Sequence, residues 1–176
     1  MSNIDNLERE VYERLAKLGI TDYTVHEHDA IFSSEDAERL GVEFEGLTVK
    51  NLFLRRRKTD HYYMVVTDHH SHVVLKDLKK KVQWGNVRFG TPEEMEEVLG
   101  VTPGSVTPLA VLHDVNHFVT VVLTRDVLEI GDDDIINCHP CRNTASLSMR
   151  KSDFMKFLKS TGNEIFYEPE DNAETE

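Results

Sequence analysis

Apolar residues recur every three or four positions over residues 4–18, a spacing that is typical of an amphipathic helix, and four further segments have the composition or the capping residues of short helices. Ser2 or Asn3 can cap the first of these helices, and Gly19 ends it. In the fourth, Thr91 is the expected cap and Pro92 occupies the first helical position. Helices are therefore predicted over residues 4–18, 34–40, 75–82, 92–99 and 151–160.

Short runs rich in β-branched and aromatic residues lie between these helices and predict about eight or nine strands. Consecutive runs with short turns between them favour antiparallel pairing with some mixing. The pattern thus predicts a mixed α/β domain with a central sheet. Strands are expected over residues 23–28, 47–55, 61–67, 72–74, 109–112, 118–123, 135–138 and 144–148, with 84–89 and 164–167 as further candidates.

The size of the chain, 176 residues, predicts one domain, which we expect to span residues 1–167. No apolar run approaches the roughly 18 residues that a membrane span needs, and the start of the chain is polar and acidic. We therefore expect a cytoplasmic protein without a membrane partner. The last segment, residues 168–176, carries five acids and no base and is predicted to be disordered.

Charge is distributed unevenly along the chain. The net charge is −12, yet residues 50–88 hold ten Lys and Arg against three acids, a local balance of +7. Such a segment can hold a polyanion locally while the remaining surface repels nonspecific nucleic acid. The alternative is that the basic residues are solvated turns and one helix face.

Three clusters of small and polar residues lie at the ends of the predicted strands. They are Lys50 with Asn51, the loop Gly104–Pro108, and the segment His139–Asn143. A glycine and a proline four positions apart specify a rigid loop whose backbone can come close to a ligand. Together the clusters predict a pocket assembled from strand ends, although each could be an ordinary turn.

Lys50 is unusual because apolar residues lie on both sides of it in a predicted strand. A lysine in this setting is costly unless its ammonium group reaches solvent or an anion. The residue is therefore either a snorkelling side chain or a contact for a phosphate.

Cys138 and Cys141 match the C-x-x-C pattern, but the residues after Cys141 predict a turn and a strand. A redox pair would need a helix there to lower the thiol pKa. With His113 and His117 they could instead form a zinc site, which is an alternative prediction. Asp114 is interpreted as a turn residue. The chain has no nucleophile elbow, no phosphate-binding glycine-rich loop and no paired-carboxylate signature.

Three ordered motifs resemble the YbaK/ProX superfamily of aminoacyl-tRNA deacylases. They are residues 49–55 (VKNLFLR), 99–108 (LGVTPGSVTP) and 139–146 (HPCRNTAS). The resemblance is closest to the PrdX branch, whose members are free-standing relatives of the prolyl-tRNA synthetase editing domain. One departure is Cys141-Arg142, where a polar residue such as Asn is expected after His-Pro; it bears on fine specificity.

The resemblance implies a single α/β domain with a central mixed, largely antiparallel, barrel-like sheet flanked by helices. It implies a trans-editing hydrolase that removes an amino acid from mischarged tRNA, most often Ala from the tRNA for proline. In such families no cofactor, metal or protein nucleophile is needed, because the vicinal hydroxyl of the tRNA and a positioned water can perform the chemistry.

By the same resemblance, three residues would be catalytic, with Lys50 holding the phosphate of the terminal nucleotide, His139 orienting the substrate and Gly104 offering backbone groups to the ester. Residues that would bind the substrate are Asn51, Ser105, Val106, Thr107, Pro108 and Asn143.

A different class of function stays open beside the deacylase. The chain could be a non-catalytic module that keeps this fold and binds tRNA or a synthetase. The amino acid removed (Ala, Cys or Ser), the means of reading tRNA identity, the oligomeric state and a transient contact with prolyl-tRNA synthetase are not fixed by the sequence.

Overall fold

The computed structural model describes residues 3–171. Six α-helices lie within this range, and each begins and ends close to the predicted limits where one was predicted. They are α1 (Asn3–Lys17), α2 (Ser34–Arg39), α3 (Leu75–Val82), α4 (Pro92–Leu99), α5 (Arg125–Glu129) and α6 (Lys151–Ser160), with a 3-10 helix at Pro108–His113. Ser2, one of the two predicted caps of α1, lies outside the described residues.

Eight strands form one mixed sheet. They are β1 (Tyr23–Glu27), β2 (Leu47–Arg56), β3 (Tyr62–Asp68), β4 (Val87–Phe89), β5 (Val119–Leu123), β6 (Ile135–Cys138), β7 (Ala145–Arg150) and β8 (Ile165–Tyr167). The order is β1-β7-β6-β2-β3-β5-β8, with β4 paired to β2. Four pairings are antiparallel and three are parallel. The mixed α/β class is confirmed, but the sheet is open between β1 and β8 and is not a closed barrel.

The two faces of the sheet bury separate apolar clusters. Alternation along β3 sends Met64 and Val66 to one face and Tyr63 and Val65 to the other. The first face is covered by α1, α4, α6 and the 3-10 helix, and it contains most of the core. The second face is covered beside β3 by α3 and by Trp84, which is fully buried.

Local backbone chemistry explains where the predicted strands were wrong. Residues 109–112 form a 3-10 helix because Thr107 caps the segment and Pro108 fixes its first turn. The predicted strand at 84–89 is shortened to Val87–Phe89, since Gln83 and Gly85 have positive φ angles. Residues 72–74 form no strand, and α5 was not predicted.

The start of the acidic C-terminal segment is held against the domain. Glu168 and Asp171 both accept hydrogen bonds from the ammonium group of Lys81, at 2.8 and 2.6 Å. The backbone N–H of Arg125 also donates to Glu168. The rest of the segment predicted to be disordered, residues 172–176, lies outside the described residues.

Candidate functional site

A gap opens in the sheet where β2 and β6 separate. The two parallel strands pair only at Leu47 with Ile136 and at Thr48 with Asn137. Lys50 and His139 each lie two residues beyond this last pair, at equivalent positions on the diverging chains. The topology thus brings two of the predicted site residues to the two sides of one opening. Sequence spacing alone could not reveal this, because the strands are far apart along the chain.

Lys50 belongs to a polar area on the second face of the sheet, which we call the polar face. Strand register places the members of this face on one side of β1, β7, β6 and β2. They are His26, Thr48, Lys50, Asn137, Ser146 and Ser148. Phe44 packs against the ring of His26, at 4.9 Å between ring centroids. Asn137 and Ser146 are buried, whereas Lys50 is partly exposed. A polar face beside a partly exposed lysine is suited to a charged, hydrogen-bonding ligand.

The ammonium group of Lys50 donates to the backbone carbonyl of Ser71. Among residues 3–171 it makes no ion pair with a carboxylate. Asp126 holds the segment that carries this carbonyl, because its carboxylate accepts from the Ser71 hydroxyl at 2.6 Å and from the Thr67 hydroxyl at 3.0 Å. A half-buried ammonium group that donates to one neutral carbonyl has further N–H donors for an anion.

Asn51 points to the opposite face from Lys50 and contacts the Gly104–Pro108 loop. Its amide nitrogen donates to the carbonyl oxygen of Val106 at 3.1 Å. Because that carbonyl can only accept, the amide orientation is fixed and Oδ1 points the other way. Oδ1 is buried and has no hydrogen-bond partner among the described residues. A buried acceptor without a partner is costly in a folded protein, and a bound donor would satisfy it.

Backbone conformation at Gly104 and Pro108 shapes the loop between them. Gly104 has φ +86°, a conformation that favours glycine. A Cβ atom at this position would lie 3.0 Å from Phe32 Cδ1 and 3.5 Å from the amide nitrogen of Asn143. Ser105 and Thr107 are buried, and Pro108 begins the 3-10 helix. The structure therefore brings Gly104 to Asn143 and Val106 to Asn51, whereas the ammonium group of Lys50 is directed to the other face.

His139 is a neutral, oriented imidazole. Its Nδ1 lies 2.8 Å from the carbonyl oxygen of Ala145, which can only accept, so Nδ1 carries the hydrogen and Nε2 is left as an acceptor. Burial lowers the pKa of His139 below its ordinary value. This arrangement can accept a hydrogen bond from a substrate hydroxyl or a water.

A second imidazole, that of His28, lies near the site. It was not predicted from the sequence as a site residue. Its ring centroid lies 6.3 Å from that of His139. Its Nδ1 lies 2.8 Å from the carbonyl of Asp29, so its Nε2 accepts from the Ser146 hydroxyl at 2.9 Å. Ser146 is only 4% exposed, which argues against a role as nucleophile. The alternation of histidines at positions 26 and 28 in a predicted strand was the available signal.

Arg142, part of the departure from the family motif, fixes the segment that contains Asn143. Its guanidinium binds Glu8 of α1 at 2.7 Å and Glu27 of β1 at 2.6 Å. Hydrogen bonds to these carboxylates raise the pKa of Arg142 above its ordinary value. In this chain the arginine is therefore a clamp between elements and not a free cation at the site.

The cysteines do not form an activated thiol pair. Burial raises the pKa of Cys138 to about 12 and also raises that of Cys141. His113 Nδ1 lies 3.0 Å from Glu10 Oε2, so this ring nitrogen contacts a carboxylate and not a cysteine. Within residues 3–171, no three His, Cys, Asp or Glu side chains come together as a possible metal-binding group. The four residues of the zinc alternative are thus not assembled as one ligand set.

Two buried histidines predict a loss of stability in mild acid. Burial lowers the pKa of both His113 and His139 from the ordinary 6.5. The unfolded chain takes up these protons first, so the free energy of unfolding should fall as the pH drops below about 6.5. Urea titrations at pH 7.5 and 5.5 test this, and His113→Gln should reduce the difference. Equal free energies of unfolding at the two pH values would contradict the assignment.

Gly104→Ala should lower activity more than stability. The left-handed conformation costs a residue with a side chain about 1 kcal/mol, and the new methyl group would displace Phe32 or Asn143 at the site. Gly19→Ala is the matched control, because Gly19 has φ +71° and open space around it. Both variants should lose similar free energy of unfolding, and only Gly104→Ala should slow ester hydrolysis. Equal rates of ester hydrolysis by the two variants would show that the backbone of Gly104 has no part in the reaction.

Comparison with known proteins identifies the class to which this fold belongs. Residues 28–157 match the aminoacyl-tRNA editing domain family. The chain belongs to this family and is an aminoacyl-tRNA deacylase, an ester hydrolase.

Individual relatives cover most of the chain. It is 32% identical over 153 residues to the prolyl-tRNA editing protein ProX of Acetoanaerobium sticklandii, covering 87% of this chain and 91% of the relative. It is 36% identical over 154 residues to prolyl-tRNA synthetase associated domain-containing protein 1 of Bos taurus, covering 86% and 88% of the two chains.

Solved structures share the fold. The hypothetical protein APE2540 superposes with a TM-score of 0.66 at 21% identity, covering 92% of this chain and 99% of its own. A candidate trans-editing enzyme for prolyl tRNA synthetase superposes with a TM-score of 0.65 at 23% identity, covering 93% and 97%. These likenesses establish the same arrangement of strands and helices. The described helices include none that is long and apolar enough to cross a membrane.

Proposed function

We propose that this chain removes alanine from mischarged tRNA for proline, as a free-standing trans-editing enzyme. The class of reaction follows from the family, and the choice of tRNA rests on the names of the relatives, which refer to prolyl-tRNA. The single observation that carries the proposal is the placement of Lys50 and His139 on the two sides of the gap between β2 and β6.

Lys50 binds the phosphate of the terminal nucleotide. The ammonium group lies on the polar face and donates to the neutral carbonyl of Ser71. A compact point charge of this kind suits a phosphate oxygen. The adenosine then lies on the polar face, and the aminoacyl ester enters the gap toward His139.

The remaining site residues orient the ester. The free Oδ1 of Asn51 accepts a hydrogen bond from the α-amino group or from the attacking water. Asn143 and the backbone of Gly104 border the aminoacyl group, with Ser105, Val106, Thr107 and Pro108 as the wall behind them.

Hydrolysis needs no covalent intermediate with the protein. A water molecule adds to the ester carbonyl carbon, the bond from that carbon to the ribose oxygen breaks, and the ribose oxygen takes up a proton. The products are the free amino acid and tRNA with an intact terminal adenosine. The vicinal ribose hydroxyl and His139 Nε2 are positioned to hold the water, since Nε2 is an acceptor.

Size exclusion separates alanine from proline. A pocket walled by a rigid loop rejects a larger residue by steric clash, whereas it discriminates weakly between residues that are both small. We therefore expect cysteine and serine to be slower but detectable substrates. We expect the enzyme to work in the cytoplasm, where tRNA is charged. A transient contact with prolyl-tRNA synthetase would deliver the substrate.

Binding and hydrolysis measured on one sample separate an editing enzyme from a non-catalytic module. Purified protein in excess is mixed with tRNA for proline carrying radiolabelled alanine, and retained complex and released alanine are followed together. The proposal predicts release of alanine well above the spontaneous rate. Retention of the complex with release at the spontaneous rate would favour a module that only binds tRNA.

A further inference from the structure

Five exposed cations form a continuous basic surface beside the site. We call it the α3–hairpin surface, and its members are Arg57, Lys58, Lys76, Lys79 and Lys80. Lys76 and Lys80 lie one turn apart on the outer side of α3, whose inner side carries the buried Leu78. Among residues 3–171, none of the five forms an ion pair.

Asn86 joins the two parts of this surface. Its side-chain oxygen accepts from the ammonium group of Lys79 at 3.3 Å. Its backbone carbonyl accepts from the N–H of Arg57 at 2.8 Å. The turn between β2 and β3 therefore lies next to the last turn of α3, and the five charges form one area.

The α3–hairpin surface continues from the position of Lys50. Helix α3 packs on the side of the sheet that carries Leu54 and Tyr63, which is also the side to which Lys50 points. Strand β2 connects Lys50 to the hairpin over six residues, about 20 Å at the usual rise. A path of this length along a nucleic-acid duplex carries on the order of ten phosphates.

Neighbouring cations are neutralised, whereas these five are not. Lys81, on the same helix, binds Glu168 and Asp171. Arg55 and Arg88 both bind Glu94. The five members of the α3–hairpin surface thus keep unpaired positive charge, in a chain whose net charge is −12. Such an arrangement attracts a polyanion to one place and repels it elsewhere.

We propose that the α3–hairpin surface binds the phosphates of the acceptor stem of the tRNA whose terminal nucleotide lies at Lys50. This inference rests on the proposed function and adds the surface that holds the rest of the substrate. Lysine and arginine on an outer helix side contact the RNA backbone and not base edges, because side chains cannot read the deep major groove of an RNA duplex. The surface therefore supplies affinity for any acceptor stem, and tRNA identity is read elsewhere.

A double variant, Lys76→Ala with Lys80→Ala, tests the surface. Removing two phosphate contacts should reduce the slope of log affinity against log salt by about 2 and weaken tRNA binding about tenfold at moderate salt. The matched control is Lys17→Ala with Lys159→Ala, which removes two exposed lysines from α1 and α6 on the opposite side of the sheet. The control should retain the wild-type salt slope.

A short substrate distinguishes failure of this inference from failure of the proposed function. Alanine esterified to adenosine has no acceptor stem, so the α3 variant and the wild type should hydrolyse it equally, while hydrolysis of alanyl-tRNA at subsaturating concentration falls about tenfold in the variant. Equal salt slopes for the two double variants on full tRNA would overturn the inference and leave the deacylase intact. Retention on anionic phospholipid vesicles, with tRNA binding unchanged, would also overturn it. No hydrolysis of either substrate by the wild type would instead contradict the proposed function.

Discussion

Lys50→Ala should lower the rate of alanyl-tRNA hydrolysis by at least about a hundredfold, the usual loss when one charge-stabilising donor is removed from an active site. The ammonium group lies on the polar face and donates to the backbone carbonyl of Ser71. Its contribution to the fold is therefore small, and its contribution to holding a phosphate is large. Single-turnover release of radiolabelled alanine measures the effect.

Two further variants separate charge from packing at this position. Lys50→Met keeps the aliphatic stem and should be as inactive as Lys50→Ala, whereas Lys50→Arg restores the charge and should recover part of the activity. All three variants should unfold at nearly the wild-type urea concentration. Full activity of Lys50→Met would show that this charge has no part in the reaction.

Glu94→Ala should have the largest effect on stability, lowering the free energy of unfolding by about 3 kcal/mol. The carboxylate is 8% exposed and binds Arg55 and Arg88. It also accepts from the backbone N–H of Thr91 at 2.9 Å, which completes the capping box of α4. Removing the buried carboxylate leaves two partly exposed guanidinium groups without their anion, and losing a cap adds about 1 kcal/mol.

Glu93→Ala is the control for this prediction. Glu93 is exposed in the same first turn of α4, so its replacement should change the free energy of unfolding by less than about 0.5 kcal/mol. Hydrogen bonds from Arg88, together with Thr91 and Arg55, lower the pKa of Glu94 to about 2, so its stabilisation is complete above pH 4.5 and is lost as the pH falls toward 2. Urea titrations of both variants at pH 7 measure the two changes in the free energy of unfolding. Equal losses for Glu94→Ala and Glu93→Ala would contradict the stabilising role of the ion pairs of Glu94.

Local signals predicted the regular elements well where they were strong. The sequence Thr91-Pro92-Glu93-Glu94 predicted a capped helix start, and the structure has the full capping box there. The helix period over residues 4–18 and the β-like apolar run over residues 47–55 correspond to α1 and β2. Burial of one side of α1 imposes the helix period on its sequence, and burial on both faces of β2 makes its sequence a nearly continuous apolar run.

Short segments were mispredicted when backbone constraints outweighed side-chain preference. Residues 109–112 are apolar and β-like, yet Pro108 and the Thr107 cap turn them into a 3-10 helix. Helix α5, at Arg125–Glu129, has only five residues, too few to display a helical period.

The candidate site could be predicted only as a set of loops. Lys50, Gly104, His139 and Asn143 were each recognisable from local sequence, but their mutual positions depend on pairing between distant strands. The register of β2 against β6 places Lys50 opposite His139, and it also sends Asn51 to the other face of the sheet. The position of His28 could not be predicted for the same reason, because the pairing of β1 with β7 brings it to Ser146.

We propose that this chain removes small, wrong amino acids from the tRNA for proline. The most direct measurement is a panel of that tRNA charged with alanine, cysteine, serine or proline, each incubated with a catalytic amount of the protein. We expect the ester to be hydrolysed fastest with alanine and more slowly with cysteine and serine. The proline ester should be lost only at the spontaneous rate. Loss at the spontaneous rate for all four, or fastest loss with proline, would contradict it.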